Sequence, residues 1–143
     1  MSDSPESVVR KFLAAFADPR LVELVSFFNG DAVWKEGPRG IRRGAEAIKS
    51  ELEVQLATGL SVTIDVKSLV ADGQTVMVER VDSFTIDHKS FFLDVMAVFE
   101  IDADGRIKQW RESFDQKSVT DQMEAAGLDL AELARRGGTR RPD

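Results

Sequence analysis

The sequence lacks cysteine and tyrosine and contains one histidine among its 143 residues. Without cysteine the chain has no thiolate nucleophile, no disulfide and no thiolate ligand for zinc. Without tyrosine it has no phenol to donate a proton or to line an oxyanion hole. The histidine, His88, lies between Asp87 and Lys89 in a predicted turn, which favours a solvated loop residue over a catalytic one. Acid and base chemistry must therefore come from carboxylates, lysine, arginine, hydroxyl, backbone or indole groups.

Long apolar runs and an excess of positive charge are missing as well. No run approaches the roughly 20 apolar residues of a membrane span. The opening Met1–Glu6 has neither the basic start nor the apolar core of a signal peptide. The 19 Lys and Arg residues against 25 Asp and Glu residues give a net charge of -6, the opposite sign from a nucleic-acid-binding surface. We therefore expect a cytoplasmic protein with neither nucleic acid nor a membrane among its partners.

The length and composition are typical of one domain that spans residues 1–143. A hydrophobic share of 43% is enough for an ordinary core, and a charged share of 31% suits a solvated surface. Short tails of about residues 1–4 and 135–143 are predicted to be mobile, the second because it is basic and rich in glycine.

Helical patterns fill the first part of the chain. Ser4 as a cap and Pro5 at the first helical position predict a helix start, which apolar residues at helical spacing extend. Asp18-Pro19 repeats this start signal, and the second helix is predicted to continue through Phe28 and to end at Asn29-Gly30. A short strand at 32–34, a loop at 36–44 and a third helix at 45–56 follow.

From Ser61 the apolar period changes from that of a helix to that of a strand. Three turn sequences, at 71–74, 87–89 and 103–106, separate the strand segments and predict an antiparallel meander. A short helix at 118–126 is predicted after it. Helices followed by such a sheet indicate an α+β domain, in which helices cover one face of a curved sheet. The interior of that arrangement can hold side chains or a small ligand.

Charged residues interrupt the apolar faces of two predicted strands. Arg80 and Asp82 share one face of their strand, and Glu112 interrupts an aromatic row on the last strand. Arginine can hold one carboxylate ionised while burial favours the neutral form of another, so these three residues can supply a base and an acid. A structural ion pair with a solvated Glu112 is the alternative. Trp34 and Glu36 share a face of the early strand, where the indole serves as packing or as a donor and Glu36 adds a third carboxylate.

Two segments together resemble the limonene-1,2-epoxide hydrolase family. They are Glu79–Asp82, which reads Glu-Arg-Val-Asp, and Gly105–Asp115, which contains Gly-Arg-Ile, Trp-Arg and Phe-Asp. The likeness extends from the first helix to the helix after Asp115. That family belongs to the cone-shaped folds similar to nuclear transport factor 2 (NTF2) and ketosteroid isomerase, also called SnoaL-like. The resemblance implies an NTF2-like fold, with N-terminal helices packed on a curved, mainly antiparallel sheet around an apolar pocket.

The resemblance also implies a catalytic set and a reaction. The family's Arg-x-Asp pair falls on Arg80 and Asp82, and its second aspartate falls on Glu112. The implied activity is that of an epoxide hydrolase without cofactor or metal, which adds water to a hydrophobic epoxide to give a diol. Asp82 would activate the water, Glu112 would protonate the opening ring, and Arg80 would set their protonation. The tyrosine and asparagine that hold the water in the family fall on Trp34 and Glu36, where this chain departs from the pattern.

Apolar pocket residues and a homodimer through the open sheet face are further implications of the resemblance. The implied pocket residues, which suit a hydrophobic, terpenoid-like epoxide, are Leu13, Phe16, Phe84, Leu93, Val95 and Phe114.

Two other functions stay open on the same fold. One is an isomerase, a dehydratase or an epoxide-opening cyclase, in which the extra carboxylate of Glu36 would take part. The other is a noncatalytic small-molecule-binding protein, in which Arg80 and Asp82 are structural. A ketosteroid isomerase is disfavoured, because the oxyanion hole of that enzyme pairs a tyrosine with a protonated aspartate and this chain has no tyrosine.

Overall fold

A computed structural model describes residues 3–58, 61–129, 131–132 and 135. Residues 1–2 and 136–143 of the predicted mobile tails lie outside the described residues. The helices are α1 (Pro5–Ala14), α2 (Leu21–Ser26), α3 (Ala45–Ala57) and α4 (Gln116–Ala125). The strands are β1 (Phe28–Glu36), β2 (Ile41–Arg43), β3 (Ser61–Asp72), β4 (Thr75–Ile86), β5 (Lys89–Ile101) and β6 (Ile107–Phe114).

The strands form one mixed sheet in the order β2-β1-β6-β5-β4-β3. The four strands from β3 to β6 form the predicted antiparallel meander. β1 joins it by pairing in parallel with β6, which sets Trp34 beside Trp110 and Glu36 beside Glu112. Side chains at paired positions point to the same face of a sheet. This pairing therefore brings an early part of the chain into the same interior as the last strand.

The N-terminal helix α1 covers the inner face of the sheet. It begins as predicted, because the side chain of Ser4 accepts a hydrogen bond from the backbone N–H of Ser7 at 3.2 Å and Pro5 occupies the first turn. Its residue Phe12 is fully buried and contacts several aromatic rings edge to face, including that of Trp110 at 5.1 Å. Burial of such a ring stabilises the fold by about 3 kcal/mol. Helices on one face of a curved sheet confirm the predicted α+β class.

Two predicted boundaries in the first half were wrong. The second helix ends at Ser26, and Phe28 already belongs to β1, where it pairs with Ile107 and is buried. The predicted helix stop Asn29-Gly30 lies instead at an irregularity of that strand, where Asn29 donates a hydrogen bond to Asp102 at 2.8 Å. The predicted loop 36–44 contains the short strand β2, which pairs with β1. Tertiary pairing overrode the local signals in both places.

Candidate active site

Arg80 lies at the centre of a buried ion-pair group on the inner face of the sheet. Its side chain on β4 is 4% exposed. Nε donates to Oδ1 of Asp82 at 2.9 Å, and Nη2 donates to Oδ2 of Asp82 at 3.3 Å and also to Oε2 of Glu112 on β6. Strand β5 lies between β4 and β6, and its residue Ala97 pairs with Glu112. The small side chain of Ala97 leaves room for the guanidinium of Arg80 to reach across β5 to Glu112. One arginine thus joins two carboxylates from different strands.

The three predicted catalytic residues are therefore in contact, and their burial differs. The side chain of Glu112 is 4% exposed, whereas that of Asp82 is 15% exposed. Burial by itself would lower the pKa of Arg80, but the charges of Glu112 and Asp82 and their hydrogen bonds raise it. The guanidinium accordingly stays charged, and Asp82 is the member of the group that solvent reaches most easily.

Trp34 supplies a second donor to Glu112. Its Nε1 donates to Oε1 of Glu112 at 2.9 Å, while Arg80 donates to Oε2, so each oxygen of this carboxyl accepts a hydrogen bond. The indole of Trp34 also stacks on Trp110, with ring centroids 4.4 Å apart and an interplanar angle of 6°. Trp34 therefore serves both as packing and as a donor.

Glu36, at the end of β1, is buried in a second charged group. Its side chain is 6% exposed. Oε2 accepts hydrogen bonds from Arg39 at 3.1 Å and from Gln55 at 2.9 Å, and Oε1 lies 2.9 Å from Nη2 of Arg42. Arg42 also lies over the ring of Trp34, 5.9 Å from its centroid. This second group thus adjoins the donor that holds Glu112.

Glu51 on α3 shares the same partners. One of its oxygens lies 3.3 Å from Nη2 of Arg42, and the other lies 3.6 Å from Nη2 of Arg39 and accepts a hydrogen bond from Gln55 at 3.0 Å. We call the five residues Glu36, Arg39, Arg42, Glu51 and Gln55 the Glu36 cluster. It joins the ends of β1 and β2 to helix α3 through two acidic and two basic side chains.

Burial raises the pKa of Glu36 to about 7. Arg39 and Arg42 oppose this rise because they stabilise the carboxylate, whereas the negative charges of Glu51 and Glu112 reinforce it. Near neutral pH, Glu36 therefore exchanges between its protonated and ionised forms. A carboxyl group with this property suits proton transfer.

Arg39, Arg42, Glu51 and Gln55 did not emerge from the sequence as site residues. The two arginines fall in a segment that reads as a solvated loop, and the other two fall on the polar side of a helix. Glu51 and Gln55 are four residues apart, so they share one helix face, and this spacing was the available signal. Their place in the Glu36 cluster depends on the docking of α3 beside β1, which a single sequence does not reveal.

The predicted pocket residues occupy different environments. A cavity of about 30 Å³, lined by Phe16, Pro19, Leu52, Gln55, Leu56 and Val62, opens between α3 and β3. Of the predicted set, Phe16 lines this cavity, Leu13 and Val95 are buried, and Phe84, Leu93 and Phe114 are half-buried. The cavity suits about one water molecule, whereas ligand pockets are commonly about ten times larger. A terpenoid-sized ligand therefore requires these walls to move apart.

The part of the chain that the structure describes has neither a membrane-spanning helix nor a metal-binding cluster. No helix there combines the length and the apolar character needed to cross a bilayer. No group of three or more histidine or acidic side chains in the same residues is arranged to hold a metal ion. The polar groups that converge on the inner face are thus carboxylates, guanidinium groups, an indole and an amide.

Comparisons with known proteins place this geometry in context. Residues 9–110 match the family model described as a SnoaL-like domain. No curated protein matches the sequence. Among solved structures, an M. tuberculosis LEH-like epoxide hydrolase is 25% identical with a TM-score of 0.74, and the match covers 90% of this chain and 95% of that one.

Two other solved structures agree in fold at lower identity. SalBIII, described as an epoxide hydrolase/cyclase-like enzyme in pyran ring formation in polyether salinomycin, is 18% identical with a TM-score of 0.71 over 80% of this chain and 92% of its own. A protein with a ketosteroid isomerase-like fold from Catenulispora acidiphila is 18% identical with a TM-score of 0.72 over 90% of this chain and 98% of its own. Because the family match spans most of the sequence, the chain belongs to the SnoaL-like family, with its NTF2-like fold.

Proposed function

We propose that the protein is a cofactor-free epoxide hydrolase, which adds water to a hydrophobic epoxide to give a diol. The observation that carries this proposal is that the buried Arg80 donates hydrogen bonds to both Asp82 and Glu112. Two carboxylates fixed by one buried cation form a preorganised charged group for proton transfer. The surrounding core is apolar, which suits a substrate with little polarity beyond the ring oxygen.

In the proposed reaction, Asp82 is the general base. The oxygen of a water molecule attacks a ring carbon, its proton moves to Asp82, and the bond between that carbon and the ring oxygen breaks. Asp82 suits this role because it is more exposed than Glu112. The ring oxygen must receive a proton as the bond breaks. We assign this proton to Glu112, the second carboxyl group that Arg80 holds, as the family resemblance implies.

The LEH-like epoxide hydrolase supports this proposal more than the other comparisons do, because its identity of 25% is accompanied by nearly complete coverage of both chains. The match with SalBIII supports the fold alone, at 18% identity. The departure at Trp34 and Glu36 falls beside this charged group. In the proposed hydrolase, the water is therefore held differently from the pattern that the family resemblance implies.

The test uses purified protein, a panel of cyclic and linear epoxides that includes limonene-1,2-epoxide, and oxygen-18 water. We expect the wild type to form labelled diol and Asp82→Asn to lose at least about 100-fold in kcat, the contribution of a general base. Asp94→Asn is the matched control, since Asp94 is an exposed aspartate on the neighbouring strand β5. Diol formation by Asp82→Asn at the wild-type rate would refute the base assignment. Binding without product across the panel would favour the noncatalytic alternative.

An epoxide-opening cyclase is the second candidate, and Glu36 is the observation that favours it. A third carboxylate beside Glu112 can serve proton transfer to and from a substrate hydroxyl as well as water. An epoxide that carries an internal hydroxyl distinguishes the two reactions. A hydrolase converts it to a triol with one oxygen-18 atom, whereas a cyclase converts it to an unlabelled cyclic ether.

We also propose that a second copy of the chain covers the outer face of the sheet. Met77 and Met96 are exposed there in an open groove of about 470 Å³. The groove has basic residues, Lys35 and Arg111, at one side and the acidic Glu79 at the other. A two-fold axis through such a face brings the basic side of each copy to the acidic side of its partner, as an isologous dimer requires.

Sedimentation velocity tests the dimer. We expect the wild type to sediment as a dimer and Met96→Glu to weaken association at least about tenfold, because it buries a carboxylate in the interface. A monomeric wild type at micromolar concentration would contradict the proposal.

A further inference from the structure

The cavity between α3 and β3 has one polar side chain among the described residues that line it. This is Gln55, and the other lining residues are apolar: Phe16, Pro19, Leu52, Leu56 and Val62. All of them except Leu52 are half-buried, so the cavity opens towards the surface. An apolar wall with very few polar groups is the pattern of a ligand pocket, in which the polar groups set orientation and selectivity.

The contacts of Gln55 fix the orientation of its amide group. Its Nε2 donates to Oε2 of Glu36 at 2.9 Å and to Oε2 of Glu51 at 3.0 Å. Because carboxylate oxygens accept hydrogen bonds, the amide nitrogen must face them and the amide oxygen must face away. Among the described residues, no group donates a hydrogen bond to that oxygen. Oε1 of Gln55 is therefore the acceptor that this side chain offers to a donor in the cavity.

Strand pairing places this cavity next to the candidate base. Val62 of the cavity wall pairs with Phe84, and Ile64, two residues further along β3, pairs with Asp82. Two residues along a strand and one step across to its neighbour put the Cα atoms of Val62 and Asp82 about 8 Å apart. A molecule the size of a monoterpene spans this distance. One end of such a molecule can therefore contact Gln55 while its epoxide ring reaches Asp82.

Part of the cavity wall is a short turn that can move to admit a ligand. Phe16 lies in the single 3-10 turn Ala15–Ala17, and Pro19 lies in the connection from this turn to α2. Connections of this kind open at a lower free-energy cost than strands and long helices. Gln55, by contrast, lies on α3, a helix of 13 residues. Displacement of the turn therefore enlarges the cavity while the amide of Gln55 stays in place.

We propose that Gln55 selects epoxides that carry a hydroxyl group at the end remote from the epoxide ring. The hydroxyl donates a hydrogen bond to Oε1 of Gln55, and the epoxide ring lies at Asp82 and Glu112. This inference rests on the proposed hydrolase function and adds a specificity-determining residue to it. An epoxide without the hydroxyl displaces water from the amide oxygen and supplies no donor in its place, so the site discriminates against it.

Three epoxides with one carbon skeleton test this subsite in the wild type alone. They are limonene-1,2-epoxide, its analogue with a hydroxyl on the methyl carbon of the isopropenyl group, and the methyl ether of that analogue. The ether keeps the oxygen and lacks the hydrogen that an acceptor requires. We expect kcat/KM for ring opening to be at least about fivefold higher for the alcohol than for the other two compounds. A wild type that opens the ether as efficiently as the alcohol contradicts the subsite.

Gln55→Met is the central variant, because it keeps an unbranched side chain of similar length and removes the amide. Its preference for the alcohol over limonene-1,2-epoxide, taken as the ratio of kcat/KM values, should fall at least about fivefold. Glu51→Gln is the matched control, since it changes a partner of the same amide and leaves Oε1 of Gln55 in place. It should keep the wild-type preference. Near-UV circular dichroism of each variant confirms that the interior is folded.

The outcomes separate the subsite from the proposed reaction. If the wild type opens these epoxides and folded Gln55→Met keeps the wild-type preference, the subsite is overturned while the hydrolase survives. If the wild type opens none of the three, the hydrolase is overturned, and isothermal titration calorimetry with the same compounds decides the subsite. Tighter binding of the alcohol that disappears in Gln55→Met supports it, and equal affinities for the alcohol and the ether overturn it.

Discussion

Raising the pH from about 5 to about 8 is expected to destabilise the folded protein through Glu36. Its pKa is raised in the folded state from an ordinary 4.5 to about 7. Between these values the folded chain binds more protons than the unfolded chain, so stability falls as the pH rises. The contribution is fully present below pH 4.5 and is lost above about pH 7. At 1.36 kcal/mol per pH unit, the loss is roughly 2–3 kcal/mol between the two conditions.

Urea unfolding of the wild type and of Glu36→Gln at a series of pH values measures this contribution. Other titrating groups contribute nearly equally to both proteins, so the difference in unfolding free energy isolates Glu36. We expect the stability of the wild type to fall relative to the variant by roughly 2–3 kcal/mol over that pH range. Glu51→Gln should retain a pH dependence of the same sign. Parallel profiles for the wild type and Glu36→Gln would refute the reasoning.

Two further substitutions test the packing of the site. Arg80→Met leaves the carboxylates of Asp82 and Glu112 without their cation and should lower the unfolding free energy by about 3–5 kcal/mol. A loss below about 1 kcal/mol in urea unfolding would contradict the stabilising role of Arg80. Gly37→Ala places a Cβ 2.7 Å from the ring of Phe114, at a residue with φ +49°. It should lower the free energy of unfolding by about 1–3 kcal/mol in the same assay. An unchanged urea midpoint would show that Phe114 moves aside at no cost.

The elements that the sequence predicted well depend on local signals. The cap at Ser4 and the proline after it define the start of α1 without reference to the rest of the chain. The meander from β3 to β6 follows from alternation and from short turns, which connect neighbours in space. The parallel pairing of β1 with β6 has no such signal, because it joins segments far apart in the sequence. Its consequences at Phe28 and in β2 were missed for that reason.

The same distinction applies to the candidate site. Alternation along a strand was sufficient to put Arg80 and Asp82 on one face, and the aromatic row around Glu112 indicated an inward-facing carboxyl. The partners of Glu36 could not be found in this way. Arg39 lies in the turn after β1 and Arg42 lies in β2, and their contacts with Glu36 and with Glu51 on α3 join segments that are separate in the sequence. The sequence of a predicted loop does not show which way its charged side chains point.

The stacked pair of Trp34 and Trp110 gives the protein an internal optical reporter. They are its only two tryptophans, and the sequence has no tyrosine to add near-ultraviolet absorption of its own. Indoles 4.4 Å apart and almost parallel couple their electronic transitions, which produces a paired band in circular dichroism. The hydrogen bond from Trp34 to Glu112 spans 78 residues of sequence, and contacts of that separation form slowly in folding. The band therefore reports on the step of folding in which β1 pairs with β6 and the candidate site is assembled.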